Sequence, residues 1–323
     1  MLTANVQPVC TKDLYHQFKL KQQVQSAEII PVAGMPGFDV YNPSVPFMSD
    51  GEWVIAGRVE KRDSEDSTVF FFREEGGVLS PIADAPQFKL QDPFVAIIDS
   101  EIVFGGVRVI WENGKIVSWV TDFYRGKSIY DLKYFASGPD HMKDIRLLGL
   151  PDGKIAVCTR PLGEEVLKAY GSIAMIGFVV VDSLDQISPE VLANAPVLPR
   201  SFLPREWGGA NQLHLLNNGL IGVIGHIAYM EHLDDGGHEK HYYSSAFALD
   251  PATRYVTPTK VICARDCFPP GGAKRPDLKD ITFTSGIIRR DGGTAVIYTG
   301  LNDCQIGRAV IPDPFVEYEQ LER

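Results

Sequence analysis

Five acidic or amide residues each stand at the start of a short apolar run. Each is followed by a turn signal in which an acidic or amide residue precedes glycine or serine, and the spacing is similar in four copies and longest in the fifth. Carboxylates and amides that converge on one pocket suit a polyhydroxylated ligand, because each hydroxyl needs a directional hydrogen-bond partner once water is excluded. The pattern predicts a carbohydrate site formed by Asn42, Asp92, Asp144, Asn211 and Asp280. Taken singly, each of these residues could equally be a cap at a strand end.

Asp92 is the predicted general acid of that site. It lies between Gln91 and Pro93, directly ahead of the apolar residues 94–98. Burial beside this run is expected to raise the pKa of the carboxyl group, so that it can donate a proton to a leaving oxygen. Hydrolysis of a glycosidic bond usually needs a second carboxylate as nucleophile or base. The sequence offers Glu60 and Asp280 for that second role.

Basic residues near the same strands predict an anion site. Lys143 and Arg146 flank Asp144, Arg160 ends the next predicted strand, and Arg125 and His226 lie at two further strand ends. The chain has a net charge of −10, from 31 Lys and Arg against 41 Asp and Glu, so a local concentration of cations is unusual in it. Fixed cationic donors bind phosphate strongly. The alternative for each residue is a surface salt bridge or a core histidine with satisfied hydrogen bonds.

Metal and cofactor sites are not predicted. Three histidines, His232, His238 and His241, lie close together near acidic residues, but Gly236 and Gly237 interrupt any helix that would align them. A solvated loop is the better interpretation. The sequence has no phosphate-binding glycine loop, no dinucleotide motif and no nucleophile elbow. We therefore expect no cofactor apart from inorganic phosphate as a co-substrate.

Composition and charge limit the possible partners and the compartment. An acidic chain of 323 residues with 45% hydrophobic residues is expected to fold around a large core and to bind neither nucleic acid nor membrane surfaces. Its five cysteines are scattered, and no apolar run is long enough to cross a bilayer. These features favour a cytoplasmic protein.

Strand patterns dominate the chain. Short runs rich in β-branched and aromatic residues recur between turn signals, and the Asn113-Gly114 pair predicts a tight hairpin. Helical periodicity is confined to one or two turns within residues 11–29 and a short capped helix at residues 188–195. An all-β fold is expected.

The fivefold recurrence of polar residue, strand, tight turn and strand predicts a five-bladed β-propeller. Each inner strand would begin with its polar residue near the axis. The whole chain, residues 1–323, is expected to be a single domain, with residues 1–30 as an N-terminal extension. A seven-bladed propeller lacks support, because periodic Gly-His and Trp-Asp pairs are missing. The inner strands are predicted at residues 43–48, 94–98, 145–150, 212–216 and 281–288.

Several blocks of the sequence resemble a known family. The segments YNPSV, AGRVEKRDSEDSTVFFF, QDPF, KDIRLLGLPDGKIAVCTRP, GVIGHIAY, KDITFTSGI and YTGLNDCQIGRA are similar, in the same order, to the five-bladed β-mannoside phosphorylases of glycoside hydrolase family 130. They extend from Tyr41 to Ala309. GPDHMKDIRL and TRPLG more closely resemble a mannosyltransferase/phosphorylase family, formerly a domain of unknown function, that acts on β-1,2-mannan.

The resemblance implies a role for each matched residue. Asp92 would be the catalytic acid, and the phosphate would lie among Lys143, Arg160, His226 and Tyr243. The mannose contacts would be Arg58, Glu60, Asp144, Asp280 and Asp303. The phosphorylases tend to flank their aspartate with Glu and Arg, whereas this chain has Gln91 before Asp92 and Phe94 after Pro93.

Inverting phosphorolysis of a β-mannoside is the function that these residues imply. Phosphate is already an anionic nucleophile, so one acid and a cationic pocket suffice. The partners would be a mannose-containing oligosaccharide, mannose 1-phosphate and phosphate, and a sugar nucleotide could serve as an alternative donor. A glycoside hydrolase on the same propeller and a non-catalytic binding or scaffold propeller are the alternatives.

Overall fold

A computed structural model describes residues 1–21 and 23–322 of the chain. The fold is mostly β, as the sequence predicts. The described part of the chain contains no helix that is long and apolar enough to cross a membrane. The helices are α1 (Thr11–Lys21), α2 (Glu164–Tyr170) and α3 (Pro189–Ala193), with 3₁₀ turns at Leu184–Gln186, Arg265–Cys267 and Pro276–Leu278. The helices predicted within residues 11–29 and 188–195 are thus present as α1 and α3.

The strands form antiparallel groups that follow one another along the chain. The first group contains β2 (Asp39–Tyr41), β3 (Phe47–Ser49), β4 (Glu52–Glu60), β5 (Thr68–Glu75) and β6 (Val78–Pro81). The second contains β7 (Gln91–Ile98), β8 (Glu101–Glu112), β9 (Lys115–Gly126) and β10 (Lys133–Ser137). The third contains β11 (Arg146–Gly149), β12 (Ile155–Thr159) and β13 (Gly177–Val181).

The fourth and fifth groups share one sheet. The fourth contains β14 (Trp207–Leu215), β15 (Ile221–His232), β16 (His238–Leu249) and β17 (Lys260–Cys263). The fifth contains β18 (Asp280–Arg290), β19 (Thr294–Leu301), β20 (Gln305–Pro312) and, at its outer edge, β1 (Ser26–Ile30). A short parallel pairing of β16 with β18 joins the two groups. Strand β1, within the predicted N-terminal extension, pairs antiparallel with β20 and so covers the edge of the last group.

Buried apolar clusters separate neighbouring groups. One cluster packs β4 and β5 of the first group against β8 of the second, and others lie between the second and third, third and fourth, and fourth and fifth groups. A further cluster contains Ile30 and Ile306 of the fifth group together with Val40 and Phe72 of the first. The core is therefore distributed around a closed circuit of sheets.

The predicted inner strands agree with the structure except at the first. Residues 94–98, 145–150, 212–216 and 281–288 lie largely within β7, β11, β14 and β18. Of residues 43–48, only Phe47 and Met48 are in a strand, since Pro43 and Pro46 have no backbone N–H to donate. The predicted tight hairpin is present: Glu112 pairs with Lys115, and Asn113 and Gly114 both have positive φ.

Local irregularities of the backbone turn the polar residues inward. Asn42, Asp92, Asp144 and Asp303 all have φ between 43° and 59°, a left-handed conformation that Asn and Asp tolerate better than most residues. The register of β7 with β8 shifts between Gln91 and Phe94, so Asp92 lies in a bulge. Bulges re-aim a side chain out of the regular alternation of a strand.

Candidate active site

The polar residues meet in a cavity of about 250 Å³. Its walls come from strands of the first, second, fourth and fifth groups, from Arg160 directly after β12 of the third, and from segments between strands. The lining residues are Asn42, Arg58, Glu65, Gln91, Asp92, Lys143, Arg160, His226, Lys240, Tyr242, Arg275, Leu278, Ile281, Phe283 and Asp303. Seven of the thirteen residues predicted from the sequence are among them.

One side of the cavity, which we call the carboxylate side, consists of Asn42, Arg58, Asp92 and Asp303. The Arg58 guanidinium donates to Asp92 Oδ1 over 3.0 Å, and the Asn42 amide donates to the same oxygen over 2.7 Å. Arg58 and Asp92 are both buried. Because buried charges are stable only when paired, Arg58 holds Asp92 in one orientation at the cavity wall.

The expectation of a raised pKa for Asp92 is wrong. Burial raises the pKa of this carboxyl group, but the opposing effects of Arg58, Lys143 and the Asn42 hydrogen bond outweigh it. The net result is a pKa below the ordinary value of an aspartate. The sequence argument considered the apolar run beside Asp92 and missed Arg58, which belongs to β4 of the preceding strand group.

Asp303 is the carboxyl group with a raised pKa. Burial, together with the charges of Asp92 and Glu65, raises its pKa to about 6, although Arg58 and Lys274 oppose this shift. Across residues 1–21 and 23–322, no side chain forms an ion pair with Asp303. The cavity therefore contains one ionised aspartate and one that takes up a proton near neutral pH.

A second part of the lining, which we call the cationic side, consists of Lys143, Arg160 and His226. Arg160 forms a buried ion pair with Asp144, so much of its charge is already compensated. Within the described part of the chain, Lys143 has no ion-pair partner. Lys143 and Lys240, a second lining lysine without an ion-pair partner in the described residues, are consequently available to interact with an incoming anion.

His226 is a neutral member of the cationic side. Burial lowers its pKa to about 3, even though Asp144 acts in the opposite direction. The prediction that His226 adds positive charge is therefore wrong. Its Nδ1 is 2.7 Å from Asn211 Oδ1, and the ring lies against Tyr242 and Phe283. These contacts hold the imidazole as an oriented hydrogen-bonding group.

Three predicted residues lie behind the wall of the cavity and support it. Glu60 accepts hydrogen bonds from Arg58, Tyr41 and Lys274. Asp144 is the counter-ion of Arg160, and Asn211 holds His226. The negative charges of Asp144 and Glu60 are stabilised by neighbouring cations, which hold both pKa values below the ordinary range against the effect of burial.

Asp280 and Tyr243 belong to a separate cluster. The Tyr243 hydroxyl donates to Asp280 Oδ2 over 2.8 Å, and His241 Nδ1 is 2.7 Å from the same oxygen. Tyr15 of α1 stacks on Tyr243, with ring centroids 4.5 Å apart. Neither predicted residue lines the cavity.

Strand register explains why Tyr242, and not Tyr243, lines the cavity. His226 is opposite Ser244 in the β15–β16 ladder. Residues two positions apart share a face, so Tyr242 lies on the His226 face and Tyr243 on the other. Working out this register from the hairpin would have pointed to Tyr242.

The position of Asp280 is explained by its spacing from the following turn. Asp280 stands further ahead of the Asp291-Gly292 turn than the other four polar residues stand ahead of theirs. Phe283 occupies the place in this copy that matches the spacing of the others, and Phe283 does line the cavity. In the fifth copy of the predicted repeat an aromatic residue, and not Asp280, therefore lines the cavity.

Arg125 does not join the other predicted phosphate residues. Its guanidinium is 3.3 Å from Asp185 and stacks over the Phe135 ring. It is close to the C-terminal end of β9, outside the cavity. The surface salt bridge considered as the alternative for this residue is what the structure contains.

Sequence reasoning missed several charged residues of the site. Glu65, Lys240 and Arg275 line the cavity, and Lys274 lies behind it with its ammonium group on Glu60. Lys240 lies near the start of β16, and the other three lie in segments between strands, where no periodic pattern marks them. The one available signal was the charge-rich run of residues 61–66, between β4 and β5.

Comparison with known proteins identifies the family. The model of a protein family described as of unknown function, DUF1861, matches residues 16–317. A mannose phosphorylase from Leishmania mexicana, solved with a phosphate ion, is 38% identical, with a TM-score of 0.88 over 96% of this chain and 95% of that one. The chain belongs to the DUF1861 family. It is accordingly an enzyme, as predicted.

Two further solved structures resemble the chain to different degrees. A GDP-Man-dependent mannosyltransferase from Leishmania mexicana is 37% identical, with a TM-score of 0.87 over 97% of this chain and 98% of that one. A β-1,2-mannobiose phosphorylase from Listeria innocua is 16% identical, with a TM-score of 0.61 over 88% of this chain and 93% of that one. The latter likeness shows the fold alone, which is that of propeller-type glycoside hydrolases. No curated protein sequence matches the chain.

Proposed function

We propose that this DUF1861 protein is an inverting glycoside phosphorylase that moves mannose between β-mannosides and phosphate. The observation that carries the proposal is the division of one cavity into a carboxylate side and a cationic side. Asp303 is unpaired on the first side and Lys143 on the second, within the described chain. Unpaired groups of opposite charge facing one small space are suited to a ligand that has both hydroxyl and phosphate groups.

The reaction needs one proton donor and one bound anion. Asp92 donates a proton, directly or through a sugar hydroxyl, to the glycosidic oxygen as its bond to the anomeric carbon breaks. A phosphate oxygen held by Lys143 and Arg160 forms the new bond from the opposite face. A β-mannoside would thus yield α-mannose 1-phosphate and a shortened oligosaccharide, and the reverse reaction would extend it.

Phosphate itself supplies a reason for Asp92 to become protonated. Lys143 is one of the charges that lower the pKa of Asp92. A phosphate anion beside Lys143 offsets that charge, so the pKa of Asp92 rises when the nucleophile is bound. Asp92 would then be protonated, and able to act as the acid, only when phosphate is bound in the cavity.

Glu60 and Asp280, the two residues predicted as the second catalytic carboxylate of a hydrolase, give little support to that alternative. Glu60 is buried in ion pairs with Arg58 and Lys274, and Asp280 lies outside the cavity. Asp303 and Glu65 are the remaining carboxyl groups of the cavity wall that a hydrolase could use as its second carboxylate. An assay without phosphate tests directly for such hydrolysis. A binding or scaffold role would require neither the perturbed Asp303 nor the enclosed polar cavity.

A sugar nucleotide is the second candidate donor. The Leishmania relative that depends on GDP-Man is 37% identical over nearly the whole chain. Lys240 and Arg275 add positive charge to the cavity wall beyond the three groups of the cationic side. We propose that mannosyl transfer from such a donor uses the same Asp92 cavity.

We further propose a single domain with the architecture of a five-bladed propeller. The five antiparallel groups, the buried clusters between them and the contacts from β4 to β7, β7 to β11, β11 to β14, β14 to β18 and β2 to β20 support this count. Residues 1–30 would be an extension whose strand β1 covers the last blade and whose helix α1 packs against β15 and β17 of the fourth group. All five cysteines are unpaired, in keeping with the cytoplasmic location that we propose.

The decisive experiment is an assay of the full chain with a panel of β-mannosides of different linkage. We expect mannose 1-phosphate to form only when phosphate is present, and the α configuration to be seen by NMR. Free mannose released without phosphate would support the hydrolase instead. Transfer from GDP-mannose to a manno-oligosaccharide, in the absence of phosphate, would support the second donor.

A further inference from the structure

A buried lysine outside the predicted site connects the two segments that flank the carboxylate side. Lys274 is in the segment between the Arg265–Cys267 turn and β18, and it is only 8% exposed. Its ammonium group donates to Glu60, to the Ser64 carbonyl over 2.8 Å and to Glu65 Oε1 over 2.9 Å. All three acceptors are in or next to the loop of residues 61–66, so one lysine holds this loop against its own segment.

The backbone of the same segment also holds the turn that carries Asp303. Lys274 N–H donates to the Asn302 carbonyl over 2.9 Å, and the Asn302 amide donates to the Gly272 carbonyl over 2.9 Å. Asn302 and Asp303 both have the left-handed backbone conformation. Lys274 therefore joins the turn before β20, near the end of the chain, to the loop after β4 in the first strand group.

Through Glu60, Lys274 also acts on Arg58 and Asp92. Glu60 and Glu65 each accept a hydrogen bond of 3.0 Å from Arg58, and Arg58 in turn holds Asp92. Four carboxyl groups, those of Glu60, Glu65, Asp92 and Asp303, thus share the two buried cations Arg58 and Lys274. Removing either cation leaves an excess of negative charge in a poorly solvated space.

We propose that Lys274 is a positioning residue that balances the carboxylates of the cavity and ties the 61–66 loop to the Asp303 turn. It touches neither the cavity space nor the reacting atoms. The proposal rests on the proposed function only for its kinetic readout.

The charges around Asp303 determine the direction of the effect. The ionisable and charged groups that interact with it are Arg58 and Tyr41 of the first group, Asp92 of the second, Tyr242 of the fourth, Glu65, Lys274 and Arg275 of the loops, and the neighbouring Cys304. Lys274 lowers the pKa of Asp303, whereas Glu65 raises it. Loss of the lysine charge and loss of the glutamate charge must therefore shift the ionisation of Asp303 in opposite directions.

The test compares Lys274→Met, Lys274→Arg and Glu65→Gln with the wild type by kcat/KM for phosphorolysis between pH 5 and pH 9. Because Asp303 lies in the cavity wall with Asp92 and has a pKa of about 6, its ionisation should produce an inflection in kcat/KM near that pH. We expect this inflection to move upward by about one pH unit in Lys274→Met, since a single nearby charge has an effect of that order. It should stay in place in Lys274→Arg and move downward in Glu65→Gln. Lys279→Met, an exposed lysine of the same segment, is the matched control and should behave as wild type.

Each other outcome contradicts the proposal. Equal losses of activity in Lys274→Met and Lys274→Arg with an unmoved inflection would assign the lysine a purely structural role. If Lys274→Met does not fold, Glu65→Gln decides, because an inflection that stays or rises in that variant excludes the charge balance.

A readout independent of activity separates this proposal from the proposed function. If the wild type phosphorolyses no mannoside, the proposed function fails, and thermal unfolding of the same variants from pH 5 to pH 8 still tests Lys274. Lys274→Met should then lose more stability with rising pH than the wild type does. Parallel curves for the two proteins would overturn the inference.

Discussion

Asp92 and Asp303 lie in one cavity, yet their surroundings change their acidity in opposite directions. Arg58 and Asn42 bind Asp92 directly and, with Lys143, hold its pKa below the ordinary value. Asp303 has no such partner in the described chain, and its pKa rises to about 6. Two carboxyl groups with separated pKa values are a common arrangement in sites that move a proton near neutral pH.

Asp92→Asn tests the proposed acid. The amide keeps the size and most hydrogen bonds of the side chain but has no transferable proton, so turnover should fall by about 100-fold to 10,000-fold. The measurement is kcat for phosphorolysis, with circular dichroism to verify the fold. Asp99→Asn, in the exposed turn at the other end of β7, is the control and should retain full activity. An Asp92→Asn enzyme with the wild-type kcat would show that another group is the acid.

Asp303→Asn should stabilise the protein, and more so at alkaline pH. The folded state binds the Asp303 proton more tightly than the unfolded chain does, so ionisation destabilises the fold as pH rises from about 4 to about 6. At 1.36 kcal/mol per pKa unit, the gain above pH 6 is at most about 3 kcal/mol. Urea unfolding at pH 5 and pH 8 measures it. A smaller gain at pH 8 than at pH 5 would contradict the raised pKa.

At the scale of the element, strand alternation decides which side chains reach the cavity. Tyr242 and Tyr243 are adjacent in β16 but lie on opposite faces. The Tyr242 hydroxyl accepts a hydrogen bond of 2.9 Å from Trp207 Nε1 at the cavity wall, whereas Tyr243 binds Asp280 outside it. Burial raises the pKa of Tyr242 to about 12, so it is a neutral donor under ordinary conditions.

Tyr242→Phe and Tyr243→Phe form a matched pair. If Tyr242 donates to the bound anion, its loss removes a charge-assisted hydrogen bond, and KM for phosphate should increase about 10-fold to 100-fold. Tyr243→Phe should leave that KM unchanged and lower stability by about 1 kcal/mol. Kinetics at varied phosphate, with thermal melts, measure both quantities. A higher KM for phosphate in Tyr243→Phe, with an unchanged KM in Tyr242→Phe, would mean that the register argument is wrong.

At the scale of the whole molecule, strand β1 contributes to the contact between the last and first sheets. Its antiparallel pairing with β20 extends from Ser26 opposite Val310 to Ile30 opposite Ile306. Ile30 is 2% exposed and packs in the cluster shared by the fifth and first groups. Residues 26–30 therefore both cover an edge strand and fill a core.

Ile30→Ala measures the contribution of this contact. Truncating a buried isoleucine to alanine costs about 2 to 5 kcal/mol, because it removes apolar burial and leaves a cavity. We expect the free energy of unfolding to fall by that amount, while KM for phosphate stays at the wild-type value. Ile116→Ala, at an exposed position of β9, should cost well under about 1 kcal/mol. Comparable losses in the two variants would show that β1 adds no core.

The amino-acid sequence by itself determined the strand content, the Asn113-Gly114 hairpin and the cavity position of Asn42, Asp92, Lys143 and Arg160. Alternation, turn preference and strand-end polarity are local, so they can be derived from neighbouring residues. Only the tertiary structure decided the ionisation of Asp92 and Asp303 and the contacts of Lys274. Those properties depend on charges that folding brings together from distant segments, and Coulomb interactions depend on distance in space rather than in sequence.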